Sequence, residues 1–392
     1  MDRIPVTPRE DWRATALEHG FTFHSPENDP YWNESAYYRF TLAQIENDLE
    51  DPAETLEQMC FEIVDAALRS EEMMTKLAIP RAHWDLVADS WAKQHRNLYG
   101  RMDFAYNGEG PAKLYEYNAD TPTSLYETAI FQWIWLEQAG ERNLIPTGGD
   151  QFNSLHEKLI AAFANFGITG KLHLACASGS EEDWGTIEYL EDCAQQAGVS
   201  TKKLEMEEIG LANTGQFTDL DDEPIATLFK LYPWEWLLRE DFADNIAGSR
   251  CQMIEPAWKS ILSNKGLMAL LWDRFPGHPN LLASYFADDP RARDMEGSYV
   301  RKPIYSREGW NVEIVDQGQP ADPIAHEKAM TGPYGEEGSI VQAFHPLPDF
   351  TGRRPMCGVW MVASEPAGMC IREDGNLITT DDAHFIPHVI AD

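Results

Sequence analysis

Apolar residues along this chain follow two different spacings. Between Glu54 and Leu68, the residues Leu56, Met59, Cys60, Ile63, Val64, Ala67 and Leu68 recur every three or four positions, which predicts an amphipathic helix within an α-rich first hundred residues. Lys113-Leu114-Tyr115-Glu116-Tyr117-Asn118 alternates like a strand, and a helix from about Ser124 to Glu137 is predicted after the turn-forming Asp120-Thr121-Pro122. Lys171 to Ala177 reads as a buried strand, Glu181 to Ala197 as a helix ended by Gly198, and Ser200 to Glu205 as the next strand, a βαβ-like run. Trp258 to Phe275 is apolar and helical in pattern. Short β-type runs then recur over Tyr299 to Tyr305, Asn311 to Val315, Ser339 to Phe344, Cys357 to Ala363 and Gly368 to Arg372, so the last third is predicted to be β-rich. This mixture predicts an α+β or α/β enzyme with a cleft between lobes.

Composition narrows the picture. At 392 residues and 43% hydrophobic content the chain can bury a large core. Its longest apolar run, Ala129 to Leu136, is interrupted by Gln132 and is far shorter than the roughly 20 residues of a membrane-spanning helix. The N-terminal Met1-Asp2-Arg3-Ile4-Pro5 lacks the layout of a secretory signal, so a cytoplasmic location is expected. Six cysteines stand far apart without a CxxC pair, as reduced core residues would. With 65 acidic against 31 basic residues the net charge is −34, which repels nucleic acids and anionic membranes and excludes both as partners. The same excess suits either a cationic substrate or solubility alone.

Several polar clusters interrupt the apolar pattern. Asp103, Glu116 and Asn118 offer hard oxygen ligands, and Glu116 and Asn118 project from one face of one strand, which suits magnesium as well as plain capping or solvation. Arg101 beside them adds a phosphate-binding charge. Lys265, between Asn264 and Gly266, is either a helix-surface charge or a point charge set against phosphate. Arg301-Lys302-Pro303 precedes the polar loop Ser306-Arg307-Glu308-Gly309-Trp310-Asn311, which is either a hairpin turn or a backbone cradle for phosphate; Walker and GxGxxG motifs are absent. Gln342-Ala343-Phe344-His345 ends a strand before Pro346, suiting a hinge beside an adenine edge or a plain strand end. Arg372 stands at a strand end beside the Asp374-Gly375 turn.

Read in order, these segments resemble the synthetase domain of the glutathionylspermidine synthetase family. The likeness is close through Leu114-Tyr115-Glu116-Tyr117-Asn118-Ala119-Asp120-Thr121-Pro122-Thr123-Ser124. It continues in Arg101-Met102-Asp103, Asn264-Lys265, Val300 to Ile304, Ile340-Val341-Gln342 and Gly368 to Arg372, from about residue 95 to the C-terminus. The resemblance implies a permuted ATP-grasp fold with a nucleotide cleft between lobes. Its divisions would be an N-terminal lead-in over 1–95 and a catalytic domain over 96–392, the latter with an α/β substrate-side lobe over 140–250 and a β-rich nucleotide lobe over 255–392. It implies ATP and Mg2+ as cofactors: Asp103, Glu116 and Asn118 on the metal, Arg101, Lys265 and Lys302 on the nucleotide phosphates, and Gln342, Ala343, Phe344, His345 and Leu377 around adenine. Arg101 and Arg372 would be catalytic, Arg372 by stabilising the transferred charge. Thr121, Thr123, Glu181 and Glu182 would face the substrates.

The reaction so implied is an acid–amine ligation. A carboxylate, glutathione-like or the end of a peptide, attacks the γ-phosphate to give an acyl phosphate, and a polyamine-like amine displaces phosphate to form an amide. The chain before Arg101 is too short for the family's amidase domain, so ligation without amide hydrolysis is expected. Asp381-Asp382-Ala383-His384 does not reproduce the acidic residue that would grip a polyamine, which leaves both substrates open. A small-molecule kinase and a non-catalytic nucleotide-binding protein are the alternatives. The loop around Arg307 to Asn311 is expected to act as a lid that nucleotide orders.

Overall fold

The computed structural model describes residues 1–26, 31–316, 318–321, 327 and 330–391. Its strand-forming runs pair with partners distant in sequence. The central sheet is antiparallel and runs His384–Phe385, Glu365–Asp374, Arg354–Val362, Tyr99–Ala105, Lys113–Asn118 in spatial order. Successive side chains in a strand point to opposite faces, so each face collects alternate residues. One face sends Met102, Phe104, Val359, Met361, Met369 and Ile371 into one hydrophobic core. The other sends Tyr99, Trp360, Val362 and Cys370 into a second core. Seated between two cores, the whole Tyr99–Ala105 strand is buried, Arg101 and Asp103 included.

Among the described residues, three larger sheets and a two-stranded one, Gly210–Leu211 with Phe217–Thr218, accompany this one. A parallel sheet in the order Gln252–Ile254, Thr227–Leu231, Lys171–Cys176, Ser200–Glu205 contains the predicted βαβ unit. Its crossover helix Glu181–Gln196 is capped by Ser180, whose hydroxyl accepts the Asp183 N–H at 3.1 Å. An antiparallel sheet in the order Ser284–Phe286, Ser339–Ala343, Tyr299–Pro303, Glu313–Asp316, Gln319–Pro320 holds Lys302 and Gln342 side by side. Asp2–Pro5, Ala36–Phe40 and the C-terminal His388–Ile390 form a third, which ties the two ends of the chain together.

The apolar stretch from Trp258 to Phe275 is two helices, Lys259–Leu262 and Gly266–Arg274. The break lies at Asn264. Its side chain accepts the Gly266 N–H at 2.8 Å and donates to the Leu77 carbonyl at 2.5 Å, and a tertiary anchor of this kind is invisible to periodicity. The helix predicted from Ser124 opens in a π-helical turn over Glu127–Phe131 and continues through Gln132–Glu141. The six cysteines are free, and all but the half-buried Cys251 are buried. Among the described residues no helix is long and apolar enough to cross a membrane.

Candidate functional site: a buried charge cluster on the central sheet

Strand pairing assembles the cluster. Arg101 lies opposite Asn118 and Asp103 opposite Glu116, so the period of two brings all four onto one face. Arg101 grips Asp103 with two parallel bonds, Nε to Oδ1 at 2.7 Å and Nη2 to Oδ2 at 3.0 Å, and its Nη1 donates to the Thr123 carbonyl at 2.6 Å. Gly358 makes room for this arrangement. A Cβ built there would stand 2.7 Å from both Arg101 Cδ and Cys370 Sγ. Asn118 Nδ2 donates to Asp103 Oδ2 at 3.1 Å, and Arg372 Nη2 reaches the same oxygen at 3.4 Å.

Two lysines arrive from other elements. Lys265, at the helix break, pairs with Glu116 at 3.0 Å and donates to the Ser306 carbonyl at 2.7 Å. Lys302 donates to Gln342 Oε1 at 2.8 Å and to the Tyr115 carbonyl at 3.1 Å. Gln342, Ala343, Phe344, His345 and Leu377 line a cavity with Glu116, Lys265, Lys302 and Arg372, while Val312, Ile314 and Met356 supply apolar wall. Gly309, at a positive φ of 73°, lets the Arg307 loop close onto this wall, since a Cβ there would meet Ile378 Cγ2 at 2.9 Å.

The charges in this cavity control one another. Burial alone would push the Glu116 carboxyl up, but Lys265, Lys302 and Arg372 outweigh it and hold its pKa down at about 2. Burial lowers the Lys302 ammonium to about 8, assisted by Lys265 and opposed by Glu116 and Asp103. Burial also works against charge on Arg101, yet Asp103 more than compensates and raises its pKa. Four cationic groups thus surround Asp103 and Glu116. Among the described residues only Glu308 adds another carboxylate to the cavity lining, and it is exposed. In a chain of net charge −34 this locally positive cavity suits an anion.

The remaining predicted residues lie beside it. Arg307 Nη1 donates to Thr121 Oγ1 at 2.9 Å, and its Nη2 donates to the buried Glu235 at 2.7 Å. Thr123 contributes its carbonyl to Arg101. Glu182, in the first turn of its helix, is raised to about 8 by burial and by Glu127, whereas Glu181 next to it is exposed. Glu127 is itself raised to about 7 by burial, against the hydrogen bond from Tyr31 at 2.7 Å. Tyr31, Glu127, Glu235 and Gly358 were not singled out in the sequence, where each sits within an ordinary apolar or polar pattern. Arg307 was visible only as part of its polar loop.

A positive, carboxylate-bearing cavity on a mixed α/β scaffold of several sheets is a site built for anionic chemistry, and the kinship of the chain gives its class, a ligase that forms C–N bonds. The chain belongs to the glutathionylspermidine synthase family: the model described as glutathionylspermidine synthase preATP-grasp matches residues 3–391. A Haemophilus influenzae protein provisionally named an acid–amine ligase is 39% identical over 398 residues, spanning 99% of both chains. Trypanothione synthetase of Crithidia fasciculata is 29% identical across 83% of this chain and 52% of its own length. The bifunctional glutathionylspermidine synthetase/amidase of Escherichia coli is 25% identical across 91% of this chain and 60% of its own. The chain therefore spans roughly half to three-fifths of those two larger proteins. Among solved structures, a glutathione synthetase-like effector from Globodera pallida aligns over 85% of this chain and 87% of that one, at 10% identity and a TM-score of 0.49. The family agrees with the resemblance read from the motifs.

Proposed function

We propose that this protein is an ATP- and magnesium-dependent ligase that joins a substrate carboxylate to an amine through an acyl phosphate, releasing ADP and phosphate. The observation that carries the proposal is the convergence of Arg101, Lys265, Lys302 and Arg372 around Asp103 and Glu116. In this reading the fold is a permuted ATP-grasp, the cavity is its nucleotide cleft, and the lobes divide at the boundaries expected from the sequence. Lys265, Lys302 and Arg101 hold phosphate oxygens, and the apolar end of the cavity, from Gln342 to His345 with Leu377, holds adenine.

The donor set fits magnesium. This ion is commonly held by one or two carboxylates together with substrate phosphates, which is what Asp103, Glu116 and the Asn118 amide offer. When bound it would offset charge on the phosphate oxygens. Loading would replace the Lys265 contact to Glu116, freeing the ammonium for phosphate.

The chemistry needs no protein nucleophile. A carboxylate oxygen of the acid bonds to the γ-phosphorus as the bond to ADP breaks, with Arg372 and Arg101 neutralising the charge that develops. The amine nitrogen then bonds to the acyl carbon, loses a proton, and phosphate departs with the oxygen it took from the acid. Thr121 and Thr123 border the acid. Glu182 and the neighbouring Glu181 border the amine, and a glutathione-like or peptide acid and a polyamine-like amine are the substrate classes proposed.

The test is ADP release from Mg-ATP across a matrix of acids (glutathione, short peptides, amino acids) and amines (spermidine, putrescine, other diamines), with mass spectrometry of the products. An amide that requires both partners is expected. A phosphorylated acid formed without any need for amine would make the protein a kinase and overturn the ligase reading.

A further inference from the structure

The strand Glu365–Asp374 serves the charged cavity with more than Arg372. Asp374 stands two residues further on and so on the same face. It is 6% exposed, and both of its oxygens are engaged by one loop. Oδ1 accepts the Asn376 N–H at 2.9 Å and Asn376 Nδ2 at 3.0 Å, while Oδ2 accepts the Thr380 N–H at 3.0 Å and the Thr380 hydroxyl at 3.1 Å. One carboxylate thus ties both ends of the segment from Gly375 to Thr380, with bonds of the stronger, charge-assisted kind. Arg354, paired with Asp374 across the hairpin, adds a bond from Nη1 to the Gly375 carbonyl at 2.6 Å.

The segment needs such an anchor. It belongs to the connection between Glu365–Asp374 and His384–Phe385, which pair as a hairpin, and this connection is well beyond the roughly two to five residues usual there. No strand ladder holds it. Yet Leu377, Ile378 and Thr379, the residues between the two tied points, all line the cavity. They also meet the Arg307 loop: a Cβ built on Gly309 would stand 2.9 Å from Ile378 Cγ2 and 3.0 Å from the Thr379 carbonyl oxygen. A segment free to swing would give neither a fixed cavity wall nor a fixed seat for that loop.

We infer that Asp374 is a positioning residue for base recognition: it holds Leu377, Ile378 and Thr379 in place, so that the base of a nucleotide meets a preformed wall. The inference rests on the nucleotide reading of the cavity given above. A wall fixed in advance raises affinity because binding no longer has to order it. The phosphate end is held independently. Arg101 is fixed by Asp103, Lys265 by Glu116 and the Ser306 carbonyl, and Lys302 by Gln342 and the Tyr115 carbonyl, none of them on the loop that Asp374 ties. Loss of the Asp374 carboxylate therefore acts on the base end and spares the phosphate end.

The test is isothermal titration calorimetry of the full chain with magnesium, using ATP and, as a ligand with the phosphates but no base, inorganic tripolyphosphate. Asp374→Ala should weaken ATP by about tenfold or more and leave tripolyphosphate unchanged. Asp374→Asn, which keeps one accepting oxygen, should fall between the alanine variant and the native chain. Asn376→Ala/Thr380→Val removes only the two side-chain donors, from positions that are not buried, and should weaken ATP by about threefold; it keeps the inference testable if Asp374→Ala does not fold. Asp289→Ala, which uncaps a short helix that does not line the cavity, should leave ATP binding unchanged. If the native chain binds both ligands and the Asp374 and loop variants bind ATP as tightly, the inference is overturned while the nucleotide reading stands. Equal weakening of ATP and tripolyphosphate also overturns it, since the effect is then a general loss of structure. A native chain that binds neither ligand removes the nucleotide reading and the inference with it.

Discussion

Two groups of carboxylates in this molecule, Glu116 in one and Glu127 with Glu182 in the other, are all withdrawn from full solvent contact but have opposite fates. Glu116 is held down at about 2, while Glu127 and Glu182 are raised to about 7 and about 8. Burial pushes all three upward, so burial is not the difference. Glu116 meets Lys265, Lys302 and Arg372, whereas Glu182 meets Glu127 and Asp183 with Arg372 opposing them, and Glu127 meets the Tyr31 hydroxyl with Arg101 as the one cation that acts on it. The comparison teaches that the surroundings of Glu116 are rich enough in cations to keep it charged, while one arginine acting on each of Glu127 and Glu182 does not offset their burial. On the function proposed above, phosphate would meet the first group and an amine substrate would add positive charge beside the second.

The largest way to break this comparison is to remove the matched charge. Glu116→Gln should lower kcat for ADP release by about 10³-fold, comparable to the loss of a preorganised electrostatic group elsewhere, and steady-state kinetics with melting curves would separate this from unfolding. Undiminished turnover would remove Glu116 from the site. Lys302→Met should raise the KM for ATP by about 10–100-fold, as expected for a lost charge-assisted bond of ~1.5–3 kcal/mol. An unchanged KM would leave Lys302 a structural tie between Gln342 and Tyr115.

A smaller effect tests the packing beneath the charges. Gly358→Ala forces a methyl into the Arg101 side chain and should destabilise the fold by about 1–3 kcal/mol in denaturant titration. Gly375→Ala, where the nearest atom is 3.9 Å away, should be close to neutral. Equal effects at the two positions would mean that Arg101 is free to move aside.

The mildest prediction concerns pH. Glu182 and Glu127 have pKa values raised above the ordinary carboxyl value, so their protonated forms favour the fold and this contribution is full below about 4.5. It is lost as pH rises through about 7 and about 8. Glu182→Gln should therefore raise Tm relative to the native chain at pH 9 and much less at pH 5. A Tm difference independent of pH would show that the pair is already matched by cations.

The sequence disclosed local structure better than long-range assembly. Lys113–Asn118, Ser200–Glu205 and all of Lys171–Cys176, predicted one residue longer, were legible because alternation and flanking turns are local properties. The placement of Arg101, Asp103, Glu116 and Asn118 together needed only the period of a strand and one hairpin-like pairing. The Asn264 break was hidden because its cause is the distant Leu77 carbonyl. Glu127 was hidden for a similar reason: its partners Tyr31 and Glu182 come from segments that only the tertiary fold unites. Gly358 looks in the sequence like any glycine in a strand, and acquires meaning only opposite Asp103, where Arg101 folds across it.

The central claim is that the acid is activated on phosphate before the amine attacks, and an isotope-transfer experiment tests it most directly. The acid is supplied with ¹⁸O in its carboxylate, together with Mg-ATP and the amine, and the inorganic phosphate released is analysed by mass spectrometry. The account predicts one ¹⁸O atom in the phosphate for each amide formed. Amide accompanied by unlabelled phosphate would contradict it.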